Sequence, residues 1–503
     1  MRDRLAVRRP ARPGAARASD PRPRAVVAGG GIAGLAAAIC LAERGVEVDL
    51  HEREDQLGGR VAGWTTTLAD GTQVPMNRGF HAFFRQYYNL RGLLRRVDPA
   101  LDGLVELPEY PLLDRHGRLD TFAGLPRTPP WNALGFVARS PTFRWRDVPR
   151  MSIRTALSLA DVRVPQTYER LDELDAATYL QRIGFPEAAQ HLAFEVFSRS
   201  FFAPPAELSA AELAVMFHLY FLGSSEGLLF DVADSFPALW NPLGEHVEGL
   251  GGRVHLGSSV QGVTHDGPRE YVVHLDGGER IPADAVVLAA DLRGLQGIVQ
   301  RSTGLGNADW RESIAQRPTA PPFLVSRFWL DRPVRRDRHA FLGTSGFGPV
   351  DNISVLERYE RGAADWARSS GGSVVELHCY ALPGESTVEQ LRPRVLAELH
   401  RAYPETERAQ VLDERHELRS DCPLFPPGGF AQRAAISTPE PGLVVAGDHV
   451  RIDMPVALME RAATSGVVAA NRLLGNWGVR GHDVWTVPGS GRSALLRTAA
   501  RIA

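Results

Sequence analysis

The residues Gly29-Gly30-Gly31-Ile32-Ala33-Gly34 follow the apolar stretch Ala25 to Ala28 and open an alanine-rich run that closes at Gly45. A second apolar stretch, Val46 to Leu50, then delivers Glu52, eighteen residues beyond Gly34. Gly-x-Gly-x-x-Gly between a strand and a helix, with an acid after the next strand, is chemistry for holding a dinucleotide. The first glycine permits the tight turn, the second lets the backbone approach a pyrophosphate, and the third lets helix pack on strand. Free N–H groups at the helix start then face the phosphates. Gly29, Gly31, Ala33, Gly34, Glu52 and its neighbour Arg53 are the nucleotide contacts this pattern predicts, with Glu52 accepting from the ribose.

Two further pieces specify the nucleotide. Gly58-Gly59-Arg60 follows the second strand closely, and its arginine is suited to bidentate phosphate contact. Far downstream, Leu443 to Ala446 runs into Gly447-Asp448, which places a carboxylate between a strand and the last long helix. A plain nicotinamide site has no need of either piece. In this order they resemble the FAD enzymes of the amine-oxidase and carotenoid-desaturase superfamily, and the resemblance implies FAD as cofactor.

These pieces require an α/β fold with an α+β insert: a discontinuous Rossmann-type FAD-binding domain interrupted by a substrate domain. The cofactor domain is assigned to 25–85, 237–295 and 431–475, the substrate domain to 86–236 and 296–430. Within the second piece, Leu243 to Leu250 reads as a helix. The runs Ser259 to Val263 and Glu270 to Leu275, with the turn Asp276-Gly277-Gly278, read as strands. Residues 1–24 carry eight arginines and two aspartates with no apolar core, and are expected to form a disordered leader. Residues 476–503 are expected to be a C-terminal tail. Its end, with Leu495, Leu496, Ala499 and Ile502 on one side among arginines, has the pattern of a helix that rests on a bilayer.

Composition excludes several classes. A chain of 503 residues has room for two or three cored domains, and no run approaches the length of a membrane span. Cys40, Cys379 and Cys422 are odd in number and far apart, which argues against disulfides and zinc, so no metal is expected. All 57 basic residues are arginine. Schiff-base lysine chemistry and a Walker-type phosphate loop are therefore ruled out, and nothing marks a nucleic-acid partner.

The segment Gly79-Phe80-His81-Ala82-Phe83-Phe84-Arg85-Gln86-Tyr87-Tyr88-Asn89-Leu90 is similar to a signature of plant-type phytoene and ζ-carotene desaturases. That similarity implies that His81 and Tyr87 lie by the cofactor. Asp120 to Leu134, Asp421 to Gly428 and Val450 to Ala462 resemble the carotenoid φ-ring synthases, also called β-carotene desaturase/methyltransferases or isorenieratene synthases. The resemblance spans roughly 25–487 and adds Phe80, Val260 and Met459 to the expected cofactor contacts.

It also implies desaturation of the β-ionone ring of β-carotene with migration of a geminal methyl, giving the φ-type ring of isorenieratene. Because the chain holds one dinucleotide fingerprint, the methyl is expected to move within the substrate. Hydride loss to the flavin leaves a delocalised cation, a methyl shifts, and a carboxylate takes the proton. Glu195 and Asp231 are the candidates, with His81 as a third catalytic residue; an ion pair of Glu195 with Arg199, or a capping Asp231, is the structural alternative. Alternative activities are desaturation or isomerisation of acyclic carotenoids, amine or protoporphyrinogen oxidation, and flavin-free escort of the GDP-dissociation-inhibitor type. The expected partners are a carotenoid drawn from the membrane and a quinone or oxygen as electron acceptor. The expected location is the cytoplasm, peripheral to the inner face of the membrane.

Overall fold

The computed structural model describes residues 3–143, 152, 155, 158–184, 201–265 and 271–502. The apolar stretch ahead of the glycines forms Arg24–Ala28, the middle strand of a five-stranded parallel sheet. The strand order is Arg253–His255, Glu47–His51, Arg24–Ala28, Ala285–Leu288, Leu443–Val445. Continuous apolar strands suit a sheet covered on both faces, and Val26, Val27, Val286, Val287 and Val444 are wholly buried. Three pieces of chain thus build one sheet. The helix Ile32–Ala42 is buried along its whole length and packs against the last long helix, Leu458–Asn476. Small residues make that contact possible: a Cβ on Gly466 would lie 2.2 Å from the Ala33 carbonyl oxygen.

The expected hairpin is present as a three-stranded meander, Val260–His265, Tyr271–Leu275 and Arg280–Ala283. The helix expected over Leu243 to Leu250 begins earlier and spans Phe236–Gly249. Pro237 sits in its first turn, where no N–H is needed.

Both inserts contribute to a second, seven-stranded sheet. Its order is Val411–Arg419, Phe323–Leu330, Ser373–Cys379, Val350–Val355, Phe341–Phe347, Leu112–Asp114, Leu119–Asp120. The first insert adds helices, among them Ala210–Phe217, capped by Ser209 and continued by the π-turn His218–Leu222. A small sheet of Phe83–Phe84, Phe230–Ala233 and Leu104–Leu107 joins the two domains.

The chain ends differ from expectation. Residues 3–24 are not a disordered leader: Val7–Arg9 pairs antiparallel with Val484–Thr486, and Arg8 bridges Asp483 at 2.7 Å. Asp3 is buried and accepts hydrogen bonds from Tyr88 Oη (2.5 Å), Ser224 Oγ (2.8 Å) and Ser225 Oγ (2.5 Å). Backbone pairing and one buried carboxylate secure a segment whose composition carries no apolar pattern. The C-terminal stretch is likewise built in, since Asn89 exchanges hydrogen bonds with the Trp485 backbone at 2.7 and 2.9 Å. It finishes in the helix Ala494–Ile502.

Glu460, from the last long helix, caps the helix Tyr88–Leu94 by accepting the Asn89 and Leu90 N–H groups, each at 2.9 Å. Burial pushes this carboxyl up from its usual 4.5 to about 8, against those donors. The folded chain keeps a proton there that the unfolded chain releases above about pH 4.5, so the associated stability is lost as pH rises through about 8. We expect Glu460→Gln to melt progressively higher relative to the parent as pH rises from about 4.5 to about 8, with a constant difference above that. A pH-independent difference would contradict the buried acid. Asp3→Ala, which strands several donors, should lower unfolding stability by about 2 kcal/mol in denaturant titrations. An unchanged midpoint would show that the N-terminal segment contributes nothing.

Candidate active site

A cavity of about 830 Å³ opens where the parallel strands end, beside Ala28, His51, Ala289 and Gly447. This is the crevice in which open α/β sheets bind ligands. At its nucleotide end, Gly29 takes φ +114°, and a Cβ on Gly34 would lie 1.8 Å from the Gly29 carbonyl oxygen. Gly31 precedes the helix with no side-chain cap, leaving first-turn N–H groups open to an anion. The two glycine loops are joined by Gly58 N–H donating to Gly30 O at 3.0 Å. Glu52 accepts from Gly30 N–H (2.6 Å) and Glu54 N–H (3.0 Å), and burial nonetheless pushes its carboxyl up.

Arg60, expected as a phosphate ligand, lines the cavity and is also engaged within the protein. Its guanidinium donates to Asp448 at 2.5 Å, tying the Gly-Gly-Arg turn to the third piece of the domain. Burial opposes ionisation of Asp448, but the Arg60 charge outweighs it and holds the carboxyl below its usual range.

The other end of the cavity is aromatic. Phe80 stacks on Phe341 with centroids 4.1 Å apart, and Tyr110 meets Phe341 edge-on at 4.8 Å. Phe84 lies 4.2 Å from Tyr220, whose hydroxyl is 2.7 Å from that of Tyr87. Phe202 contacts both Phe323 and Tyr380. His81 donates through Nδ1 to the Gly79 carbonyl at 2.8 Å, and burial pulls its imidazole down to about 4. It is therefore neutral near pH 7.

Every expected cofactor contact except Gly34 lines this cavity: Gly29, Gly31, Ala33, Glu52, Arg53, Gly59, Arg60, Phe80, His81, Tyr87, Val260, Gly447, Asp448 and Met459. Gly34 stands behind it, packing the helix on the turn. Asp231 does not line it. That carboxylate is clamped by Arg91 (2.5 Å) and Arg85 (3.2 Å) in the small sheet, which is a structural arrangement rather than a free base. Glu195 lies outside the described residues. In the aromatic run Phe217 to Phe221, only Tyr220 faces the cavity; Phe221 instead packs toward Phe122.

The sequence reading missed Phe323, Phe341, His378 and Tyr380, contributed by the second insert. A signal was present: the apolar strand Ser373–Cys379 carries Glu376 and His378, and its neighbour carries Arg327, all buried. Charged groups in such strands need partners or a function. Cys40, Glu43 and His482 also converge, within 4.8 Å. Arg96 donates to both Glu43 oxygens at 2.8 and 3.1 Å, placing a cation where a metal would sit.

Comparison with known proteins agrees with this geometry. The model of the flavin-containing amine oxidoreductase family matches residues 32–474. A carotenoid phi-ring synthase of Streptomyces griseus is 58% identical over 100% of this chain and 97% of the relative. The chain belongs to this flavoprotein family, among the carotenoid phi-ring synthases. A phi-ring synthase of Chlorobaculum tepidum is 28% identical over 93% of the chain and 91% of its own length. The 15-cis-phytoene desaturase of Narcissus pseudonarcissus is 25% identical over 91% and 81%. Among solved structures, putrescine oxidase superposes with a TM-score of 0.67 at 17% identity, covering 90% of this chain and 99% of that one. That likeness concerns the fold alone.

The protein is a flavin-dependent oxidoreductase and its cofactor is FAD. The cavity suits the group: an uncapped helix N-terminus for phosphate, buried Glu52 for ribose, and Gly447-Asp448 at the far strand. Two glycine substitutions separate fold from binding. Gly34→Ala collides with backbone and should lower both melting temperature and flavin content. A Cβ on Gly31 meets nothing nearer than 3.9 Å, so Gly31→Ala should fold normally yet purify without flavin absorbance. Full flavin content in Gly31→Ala would place the pyrophosphate elsewhere.

Proposed function

We propose that the protein desaturates the β-ionone ring of β-carotene and moves one geminal methyl from C1 to C2, giving the φ-type aromatic ring of isorenieratene. Full-length 58% identity to the Streptomyces griseus phi-ring synthase carries this reading. The continuity of the nucleotide end with an aromatic chamber supports it. Aromatisation removes four ring hydrogens, as two hydrides and two protons. When bound, FAD supplies the two-electron oxidant that accepts a hydride, and a quinone or oxygen reoxidises it afterwards.

The chain's own residues do the rest. Phe80, Phe341, Tyr110, Phe84 and Tyr220 offer ring faces to a developing cation and exclude water from it. Neutral His81 adds no opposing charge on that wall. The single glycine fingerprint leaves the cofactor site without a companion for a methyl donor, so the methyl travels inside the substrate. No helix among the described residues is long and apolar enough to cross a membrane. Substrate access is from a bilayer that the protein contacts peripherally on its cytoplasmic side. The terminal helix Ala494–Ile502, with Leu495 82% exposed, supports that placement.

Expression in a bacterium that accumulates β-carotene should yield aromatic carotenoids on pigment analysis. Unchanged β-carotene beside soluble, FAD-loaded protein would remove the proposal. Conversion of acyclic carotenoids instead would favour a desaturase.

A further inference from the structure

Each aromatisation must dispose of two protons; of the two carboxylates first considered, Asp231 is clamped away from the cavity, and Glu195 lies outside the described residues. A different set of groups reaches the aromatic chamber. Tyr380 and His378 both line it, and the Tyr380 hydroxyl lies 2.7 Å from His378 Nδ1. On its other side, His378 Nε2 lies 2.9 Å from Glu376 Oε1. The second Glu376 oxygen accepts from Arg327 Nε and Nη2 at 2.9 and 2.7 Å. Arg327 is fixed further by the Pro75 carbonyl and Asn77 Oδ1.

The electrostatics select one tautomer. Burial opposes ionisation of Glu376, but Arg327 prevails and holds its carboxyl down at about 2. An ionised Glu376 requires the proton of His378 on Nε2, and Nδ1 is then an acceptor for the Tyr380 O–H. The Phe80 N–H also points at this Nε2 from 3.1 Å and competes for it, but the shorter, charge-assisted contact with the ionised carboxylate at 2.9 Å is the stronger one and keeps the proton on Nε2. Carboxylate, imidazole and phenol thus form a line from the sheet interior to the chamber wall. Arg327, Glu376 and His378 are each no more than 1% exposed. Burying three such groups is costly where packing is the only purpose.

We propose that Tyr380, backed by His378 and Glu376, takes the ring protons released during aromatisation. A ring C–H bond of the cationic substrate breaks, and its electron pair becomes the new ring π bond. The proton passes to Tyr380 Oη as the phenolic proton passes to His378 Nδ1. The imidazolium so formed is balanced by Glu376, and the proton is released through Tyr380 between the two oxidations, so that the relay is free again for the second proton. Each of the two hydrides would be accepted by bound FAD, which the quinone or oxygen named above would reoxidise after each one. Tyr380 is thereby a catalytic residue, and His378 and Glu376 are positioning residues that act through it. Among the described residues no carboxylate hydrogen-bonds His81, whose Nδ1 is spent on the Gly79 carbonyl, which makes it the poorer acceptor.

The inference rests on the ring-aromatising activity, so the parent enzyme in β-carotene-producing cells is the control. Absence of aromatic product there defeats the activity itself, not this assignment alone. With an active parent, Tyr380→Phe removes one oxygen and keeps the ring that packs on Phe202. Per FAD-loaded enzyme in liposomes of varied β-carotene content, it should lower kcat by about a hundredfold or more. KM, flavin content and melting temperature should be unchanged. His378→Asn should show a comparable loss, and the double variant should be no worse than either single one, because the two residues act as a unit. Turnover within threefold of the parent in Tyr380→Phe, or losses that multiply in the double variant, would overturn the proposal.

Discussion

The ion pair between Arg60 and Asp448 is the contact on which the site depends. The two residues are separated by most of the chain, yet stand 2.5 Å apart with both side chains largely buried. One belongs to the turn after the second strand, the other to the strand that enters the last long helix. Their pairing ties the Gly58-Gly59-Arg60 turn to Gly447-Asp448 at the wall of the nucleotide crevice. Gly466 makes this approach possible by bringing the last helix onto Ala33 without an intervening side chain.

A second constraint operates at the domain junction. The segment Gly79 to Leu90 leaves the cofactor domain, lines the cavity with Phe80, His81 and Tyr87, and ends in a helix capped by Glu460. The same Asn89 that binds Glu460 also holds the Trp485 backbone. One short segment therefore connects the cavity wall and both chain ends, which accounts for its dense pattern of His, Tyr and Asn.

The nucleotide half of this architecture was legible in the amino-acid sequence because its signals are local. Glycines needed for close backbone approach, apolar strands and a terminal acid each read directly, and their order along the chain implied a single assembled sheet. The chamber was not legible in the same way. Its walls come from strands of the second insert, whose cavity-facing residues are set by long-range pairing such as Phe341–Phe347 against Leu112–Asp114. Arg327, Glu376 and His378 were visible as charges in apolar strands, but their partners lie across the sheet. The N-terminal segment was misread for a related reason: its anchor is one buried aspartate and a strand partner near the other chain end, neither of which composition reveals.

The central claim is that a chain with one dinucleotide site, occupied by FAD, rearranges a methyl within the substrate. Carbon-13 labelling of the geminal methyls of β-carotene tests this most directly. The account predicts that the aromatic product retains all of the label, with one labelled methyl now on C2. Loss of one labelled methyl per ring, with entry of carbon from an external methyl donor, would contradict it.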